Sequence, residues 1–231
     1  MNTPETKNNP ELILTGFDPF GEHGLNPSQL VVERFPDEIE LLNGEKASVE
    51  KQILTTCCNR SWEVLEPILA EKTSRGKEAV LIMLGLADTR SNITMERVAL
   101  NLRDYPIADN RGHKPPVEKI DPEEENAFFS NLPLEIVSAR LVEKGCPVAV
   151  SNHAGTFVCN DIFYQSLAYR KKNSRLLSSL FVHLPGLANF RLKTESDQDD
   201  DQAKLDCLTE VVKLLAAEVV AAAQEGEEVL V

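Results

Sequence analysis

Residues 147–167 read PVAVSNHAGTFVCNDIFYQSL, an apolar run, a Gly-containing turn and a segment with helical spacing. The apolar run is typical of a buried strand, and the last part has the periodicity of an amphipathic helix. The turn places Cys159 close to the start of that helix, where the helix dipole and free N–H groups favour a thiolate. We therefore predict Cys159 as a nucleophile with a pKa below the usual value of about 8.5. The alternative is a buried cysteine that acts as a small hydrophobic residue.

Similar apolar runs elsewhere end in polar or Gly-rich turns and predict further strands. They lack strict alternation and are separated by helix-length segments, which favours an α/β fold: a mixed, mainly parallel sheet with helices on both faces. The predicted strands are Glu11–Leu14, Ala79–Leu84, Pro147–Val150 and Leu180–Val182, with a weaker one at Val49–Leu54. The predicted helices are Ser28–Arg34, Ser61–Lys72, Asn126–Lys144 (divided near Pro133), Asn160–Lys171 and Lys204–Gln224.

Length and composition limit the protein classes. The 231 residues predict a single domain over 1–231, with a polar tail at 1–10 and a solvated acidic loop at Ser196–Asp201. A net charge of −13 makes nucleic acid an unfavourable partner. No apolar run reaches the roughly 20 residues of a membrane span, and five scattered cysteines do not resemble a disulfide framework. We predict a cytoplasmic protein with reduced thiols, no membrane contact, and no metal or cofactor.

Reactive residues follow the predicted strands. In an open α/β sheet, ligands bind beyond the carboxyl ends of the strands, so these turns are expected along one edge. A cysteine hydrolase needs a thiol, an imidazole that takes its proton, and a carboxylate that orients the imidazole. Cys159, His183 and Glu96 fit these roles. The alternatives are a core histidine for His183, a surface ion pair of Glu96 with Arg97 at a helix start, and His153 as a rival base.

Five segments together resemble the pyroglutamyl peptidase I family of cysteine peptidases. They occur in the family's order and span most of the chain. The segments are TGFDPFG (15–21) with NPS (26–28), ITMERVALN (93–101), DNRG (109–112) with Pro115, SN with AGTFVCN (151–160), and FVHLP (181–185).

The resemblance implies a three-layer α/β/α sandwich similar to nucleoside phosphorylases, often assembled as dimers or tetramers. It implies hydrolysis of the amide bond after an N-terminal pyroglutamyl residue of a peptide. Cys159 would attack the carbonyl, His183 would carry the proton and Glu96 would orient the imidazole. The residues implied to bind substrate or shape its pocket are Phe17, Phe20, Asn26, Arg90, Ile107, Phe157 and Val158.

The chain departs from the family pattern beside the expected substrate region. Asp88 stands where a small residue or proline is usual, Pro106 replaces an arginine, and Gly186 replaces a tyrosine. Arg103 is a candidate substitute for the missing arginine. These changes leave a second hypothesis open, namely a weakened relative that binds pyroglutamyl-capped peptides or another partner. A nucleoside phosphorylase is disfavoured because no phosphate-binding loop is evident.

Overall fold

The computed structural model describes residues 9–74, 76–192 and 200–226. The predicted tail therefore lies mostly outside the described residues, as does most of the acidic loop. The strands are β1 (Glu11–Phe17), β2 (Glu38–Glu40), β3 (Lys46–Leu54), β4 (Ala79–Ala87), β5 (Ile93–Glu96), β6 (Val98–Leu100), β7 (Ala127–Phe129), β8 (Val148–Ser151) and β9 (Leu176–Pro185). The helices are α1 (Pro27–Arg34), α2 (Arg60–Lys72), α3 (Leu134–Glu143), α4 (Val158–Lys172) and α5 (Asp201–Glu225).

The main sheet of the described chain has the strand order β2-β3-β1-β4-β9-β5-β8. Strands β3, β1, β4 and β9 are parallel neighbours, and β5 is parallel to β8. The antiparallel pairs are β2 with β3 and β5 with β9. A short separate ribbon pairs β6 with β7. The sheet is thus mixed and mainly parallel, which confirms the predicted fold class.

Alternate residues of each strand serve the cores on the two faces of the sheet. Leu12 and Leu14 pack in the cluster that includes residues of α1, α3 and α5. Ile13 packs in the other cluster, with residues of α2 and α4. All three side chains are fully buried. Burial on both faces explains why these strands read as continuous apolar runs rather than alternating ones, and it gives the predicted three-layer sandwich.

Three local predictions were wrong. The segment 126–144 is not a divided helix, because its first part forms β7 and only α3 is helical, with Pro133 at its N-cap. Glu96 ends strand β5 and does not start a helix. Strand β8 runs opposite to β9, so its following turn does not leave the sheet at the carboxyl edge of β1, β4 and β9.

The start of α5 supports one expectation for the acidic loop. The Asp200 carboxylate accepts hydrogen bonds from the backbone N–H groups of Gln202 and Ala203, at 2.8 and 3.1 Å. An acidic N-cap stabilises the positive end of the helix dipole. Among the described helices, none is both long and apolar enough to cross a membrane.

Candidate active site

Cys159 is the second residue of α4, and its thiol lies directly against the sheet. The contact point is Gly85 in β4, where a Cβ atom would come within 3.1 Å of the Cys159 Sγ and 2.7 Å of the Phe181 ring. Only glycine leaves space for this approach. Gly85 is also the register partner of His183 in the neighbouring strand β9. The glycine therefore allows the cysteine to approach the sheet next to the strand that carries His183.

His183 and Glu96 form a buried pair across the antiparallel strands β9 and β5. The His183 Nδ1 lies 2.7 Å from the Glu96 Oε1. Glu96 is fully buried and His183 is 5% exposed. Thr94 stands opposite His183, which brings Glu96, two residues further on the same face, under the imidazole. The geometry is that of a carboxylate that fixes the orientation and tautomer of a base.

Arg90 contacts the same carboxylate. Its Nη1 lies 2.5 Å from the Glu96 Oε1 and also bonds the Thr94 hydroxyl. The sequence placed Arg90 among the substrate-binding residues, whereas here its guanidinium is held by Glu96. Arg97 pairs instead with Glu135 of α3, so the predicted alternative of a surface Glu96–Arg97 pair is wrong.

Burial and charge act in opposite directions on Glu96 and His183. Burial raises the pKa of Glu96, but the interaction with His183, together with hydrogen bonds from Ser151 and Arg90, holds the pKa below its usual value. Burial lowers the pKa of His183 and outweighs the opposing effect of Glu96. At neutral pH the pair is therefore a carboxylate beside a neutral imidazole, which is ready to accept a proton.

The prediction of a lowered pKa for Cys159 was wrong. Burial of the thiol, followed by the negative charge of Glu96, raises the pKa of Cys159 to about 12. A hydrogen bond from its own backbone N–H acts in the expected direction but is outweighed. Cys159 is only partly buried as a residue, yet the protein packed around its sulfur penalises the charged form more than the helix start favours it. The thiol is thus protonated at neutral pH.

Phe20, Phe157 and Ile107 form an apolar surface beside the cysteine, which we call the aromatic strip. The Phe157 ring contacts Phe20, with centroids 5.8 Å apart, and packs edge-on against Tyr105 at 4.6 Å. Phe20 and Phe157 are half-buried, and Ile107 is 44% exposed. These residues offer a flat apolar surface to a small ring. Tyr105 was missed by the sequence reasoning, although an aromatic residue two positions before Ile107 was a usable signal.

The remaining predicted pocket residues are less accessible. Phe17 is 2% exposed, with its ring 6.3 Å from that of Phe181, and Val158 is fully buried. They support the pocket from beneath. Asn26 acts as the N-cap of α1: its side chain accepts from the Ser28 N–H at 3.1 Å and donates to the Asp18 carbonyl at 3.0 Å. The role of Asn26 in the structure is therefore to cap α1.

Arg103, the candidate substitute for the missing arginine, is engaged by an acidic partner within the protein. It is 8% exposed, and its Nε donates to Asp161 Oδ2 at 2.8 Å. The Tyr105 hydroxyl donates to the same carboxylate at 3.1 Å. Asp161 lies in the first turn of α4, two residues after Cys159. These contacts of Arg103 and Tyr105 with Asp161 therefore connect the segment 103–105 to the helix that carries the thiol.

Asp88 and Gly186, two of the residues that depart from the family pattern, lie directly against each other. A Cβ atom on Gly186 would overlap the Asp88 carboxylate. The two changes thus compensate for each other, with an acidic side chain filling the space that the glycine leaves.

His153, the rival base, is exposed and accepts a hydrogen bond from the Gly155 N–H at 3.1 Å through its Nδ1. That bond supports a structural role in the turn.

A cysteine on a helix start, beside a carboxylate-bound imidazole in an α/β/α sandwich, defines the class of cysteine hydrolases. Comparison with known proteins narrows the class. The family model for pyroglutamyl peptidase matches residues 11–225. The chain is 35% identical over 220 residues to a pyrrolidone-carboxylate peptidase of Bacillus licheniformis, covering 94% of each chain. It is 38% identical over 175 residues to one of Thermosipho melanesiensis, covering 76% of this chain and 82% of the relative.

A solved structure agrees with these sequence matches. Pyroglutamyl peptidase I of Bacillus amyloliquefaciens superposes with a TM-score of 0.77 at 30% identity, covering 95% of this chain and all (100%) of the other. This chain belongs to the pyroglutamyl peptidase family, and the family predicted from the five sequence segments is confirmed.

Proposed function

We propose that the protein hydrolyses the amide bond after an N-terminal pyroglutamyl residue of a peptide, with Cys159 as nucleophile. The observation that carries the proposal is the buried contact of His183 with Glu96, beside the cysteine at the start of α4. Membership of the pyroglutamyl peptidase family supports the same reaction.

The reaction begins with removal of the thiol proton. His183 accepts this proton as the Cys159 sulfur attacks the pyroglutamyl carbonyl carbon, because the thiol is not ionised beforehand. The carbonyl oxygen becomes an oxyanion, for which the Cys159 backbone N–H at the helix start is a donor. Glu96 stabilises the imidazolium that forms.

The intermediate then collapses in two stages. His183 gives its proton to the leaving amine, the C–N bond breaks, and a pyroglutamyl thioester remains on Cys159. A water molecule, deprotonated by His183, attacks the thioester carbon. The C–S bond breaks, the thiol regains its proton, and free pyroglutamate is released.

Lactam recognition is assigned to the aromatic strip. Phe20, Phe157 and Ile107 present apolar surface at the edge of the site, and the uncharged five-membered ring suits such a surface better than a charged N-terminal residue does. Phe17 and Val158 support these residues from below. Asn26 fixes the start of α1 and the loop that carries Phe20.

Location and assembly stay predictions. The scattered cysteines and a thiol-dependent site fit the cytoplasm, where thiols are kept reduced. Assembly into a homo-oligomer is implied by the family resemblance alone.

Turnover of matched amides tests the proposal. The wild-type protein is expected to cleave a fluorogenic pyroglutamyl amide and to leave the proline and glutamine amides of the same fluorophore nearly untouched. Cys159→Ala serves as the matched inactive control. An intact, folded protein that binds a pyroglutamyl peptide in calorimetry without cleaving it would overturn the peptidase and favour the binding protein instead.

A further inference from the structure

Glu96 receives two partners on a single oxygen. The His183 Nδ1 and the Arg90 Nη1 both contact Oε1, at 2.7 and 2.5 Å. The carboxylate is fully buried, and its Oε2 has no partner in good hydrogen-bond geometry within the described chain, although the Ser151 side chain adds an interaction that also lowers the pKa of Glu96. A buried carboxylate with one unpaired oxygen depends strongly on the contacts that it does have.

Arg90 is itself held in place. Its Nη1 also bonds the Thr94 hydroxyl, and its backbone N–H donates to the Ala87 carbonyl at 3.0 Å in the turn after β4. Thr94 is the residue opposite His183 across the strands. The guanidinium thus links the turn after β4 to the strand that carries Glu96.

We propose that Arg90 is a positioning residue, which fixes the Glu96 carboxylate against His183, and not a ligand of the substrate. The inference rests on the proposed function, because it assigns a role within the same site. It also accounts for an arginine that is only partly exposed, at 29% of its side chain, beside a buried acid.

The positive charge of Arg90 also affects the pKa of His183. The charged or titratable groups around His183 are Glu96, Arg90 and the Cys159 thiol. Burial lowers the pKa of His183 most, Glu96 raises it, and the positive charge of Arg90 lowers it again. Without Arg90, only burial opposes the effect of Glu96 on the imidazole. The imidazole would then stay protonated to a higher pH, and it could accept the thiol proton only above that pH.

The experiment replaces Arg90 by glutamine and by lysine and measures pH profiles on the pyroglutamyl amide. For Arg90→Gln, the acidic limb of the kcat/KM profile should move to higher pH, kcat should fall on the order of a hundredfold, and KM should change little. Arg90→Lys keeps the charge and should restore the position of the limb. Arg97→Gln, which removes the same charge one residue after Glu96 from a side chain paired with Glu135, is the matched control and should leave the limb in place.

A substrate ligand would give another pattern. A large rise in KM for Arg90→Gln, with an unmoved acidic limb, would overturn the inference. A titration of the His183 ring by NMR in Cys159→Ala protein, with and without Arg90→Gln, tests it without turnover. The imidazole should titrate at higher pH in the double variant, and an unchanged titration would overturn the role of Arg90 even if the wild-type protein cleaved no pyroglutamyl amide.

Discussion

The Cys159 thiol lies close to Gly85, where an added Cβ atom would come within 3.1 Å of the sulfur and 2.7 Å of the Phe181 ring. Gly85 is paired in register with His183, so the same backbone position lies next to both the cysteine and the histidine strand. The site is therefore built on the face of the sheet as well as on the loops around it.

Gly85→Ala tests this placement. The new methyl group must displace Cys159 or the Phe181 ring, which should cost about 1–3 kcal/mol of stability. A displaced sulfur should lower kcat on the order of a hundredfold. Gly24→Ala is the control, because nothing lies within 4 Å of its Cβ position and its φ is not positive. Full activity in Gly85→Ala, measured on the pyroglutamyl amide, would contradict the described contact.

The ionisation of Cys159 can be followed by alkylation. Burial raises the pKa of Cys159 to about 12, and only the thiolate is alkylated, so its rate with iodoacetamide should rise about tenfold per pH unit through neutral pH. A free cysteine derivative should level off near a pH of about 8.5. Peptide mapping by mass spectrometry separates Cys159 from the other cysteines. If the alkylation rate of Cys159 levels off at a lower pH than that of the free derivative, the pKa of Cys159 is lowered instead.

Glu96→Gln gives two opposite effects in one variant. The negative charge of Glu96 raises the pKa of Cys159, second only to burial. Its removal should therefore speed alkylation of Cys159 while slowing turnover, because the imidazole loses its orienting partner. An exposed acid, Glu63→Gln, is the control and should change neither rate. Parallel losses of alkylation and turnover in Glu96→Gln would contradict this arrangement.

The buried pair of Arg103 with Asp161 should contribute mainly to stability. Asp161→Ala leaves the Arg103 charge buried without its partner, which should cost about 3–5 kcal/mol in urea unfolding. Glu118, which is 3.4 Å from Arg103 and largely exposed, provides the comparison. Glu118→Ala should cost less than about 1 kcal/mol. Equal losses in the two variants would show that Asp161 is not the principal partner.

The aromatic strip should determine binding of the lactam ring. Phe20→Ala removes a half-buried ring that contacts Phe157, and KM for the pyroglutamyl amide should rise about tenfold, corresponding to roughly 1.4 kcal/mol, with kcat changing less. Phe129→Ala removes a more exposed phenylalanine ring, on β7, and should leave KM unchanged. An unchanged KM in Phe20→Ala would place the lactam elsewhere.

Local patterns predicted most elements of the sheet and its helices. The runs at Ala79–Leu84 and Leu180–Val182 became the buried centres of β4 and β9, since both faces of these strands are covered. The reversal of β8 was not predictable, because strand direction depends on pairing with β5 and not on the sequence of β8 itself. Short strands such as β5 carry too few residues for a periodic signal.

The structure brings Glu96 and His183 into contact, but the electrostatics of the site did not follow from spacing. The position of Cys159 at a helix start was correct, while its raised pKa depends on burial and on Glu96, which only the packed structure brings close. The partners of Arg90 and Arg103 were missed for the same reason. Each arginine pairs with a carboxylate that the fold, and not the local sequence, delivers.

Trapping the covalent intermediate tests the central claim most directly. Acid quenching during early turnover of a pyroglutamyl ester or amide, followed by peptide mass spectrometry, should place a pyroglutamyl group on the peptide that contains Cys159. The Cys159→Ala protein should carry no such group and should not turn over. Undiminished turnover by Cys159→Ala, or a pyroglutamyl group attached to a different residue, would contradict the assignment of Cys159 as the nucleophile.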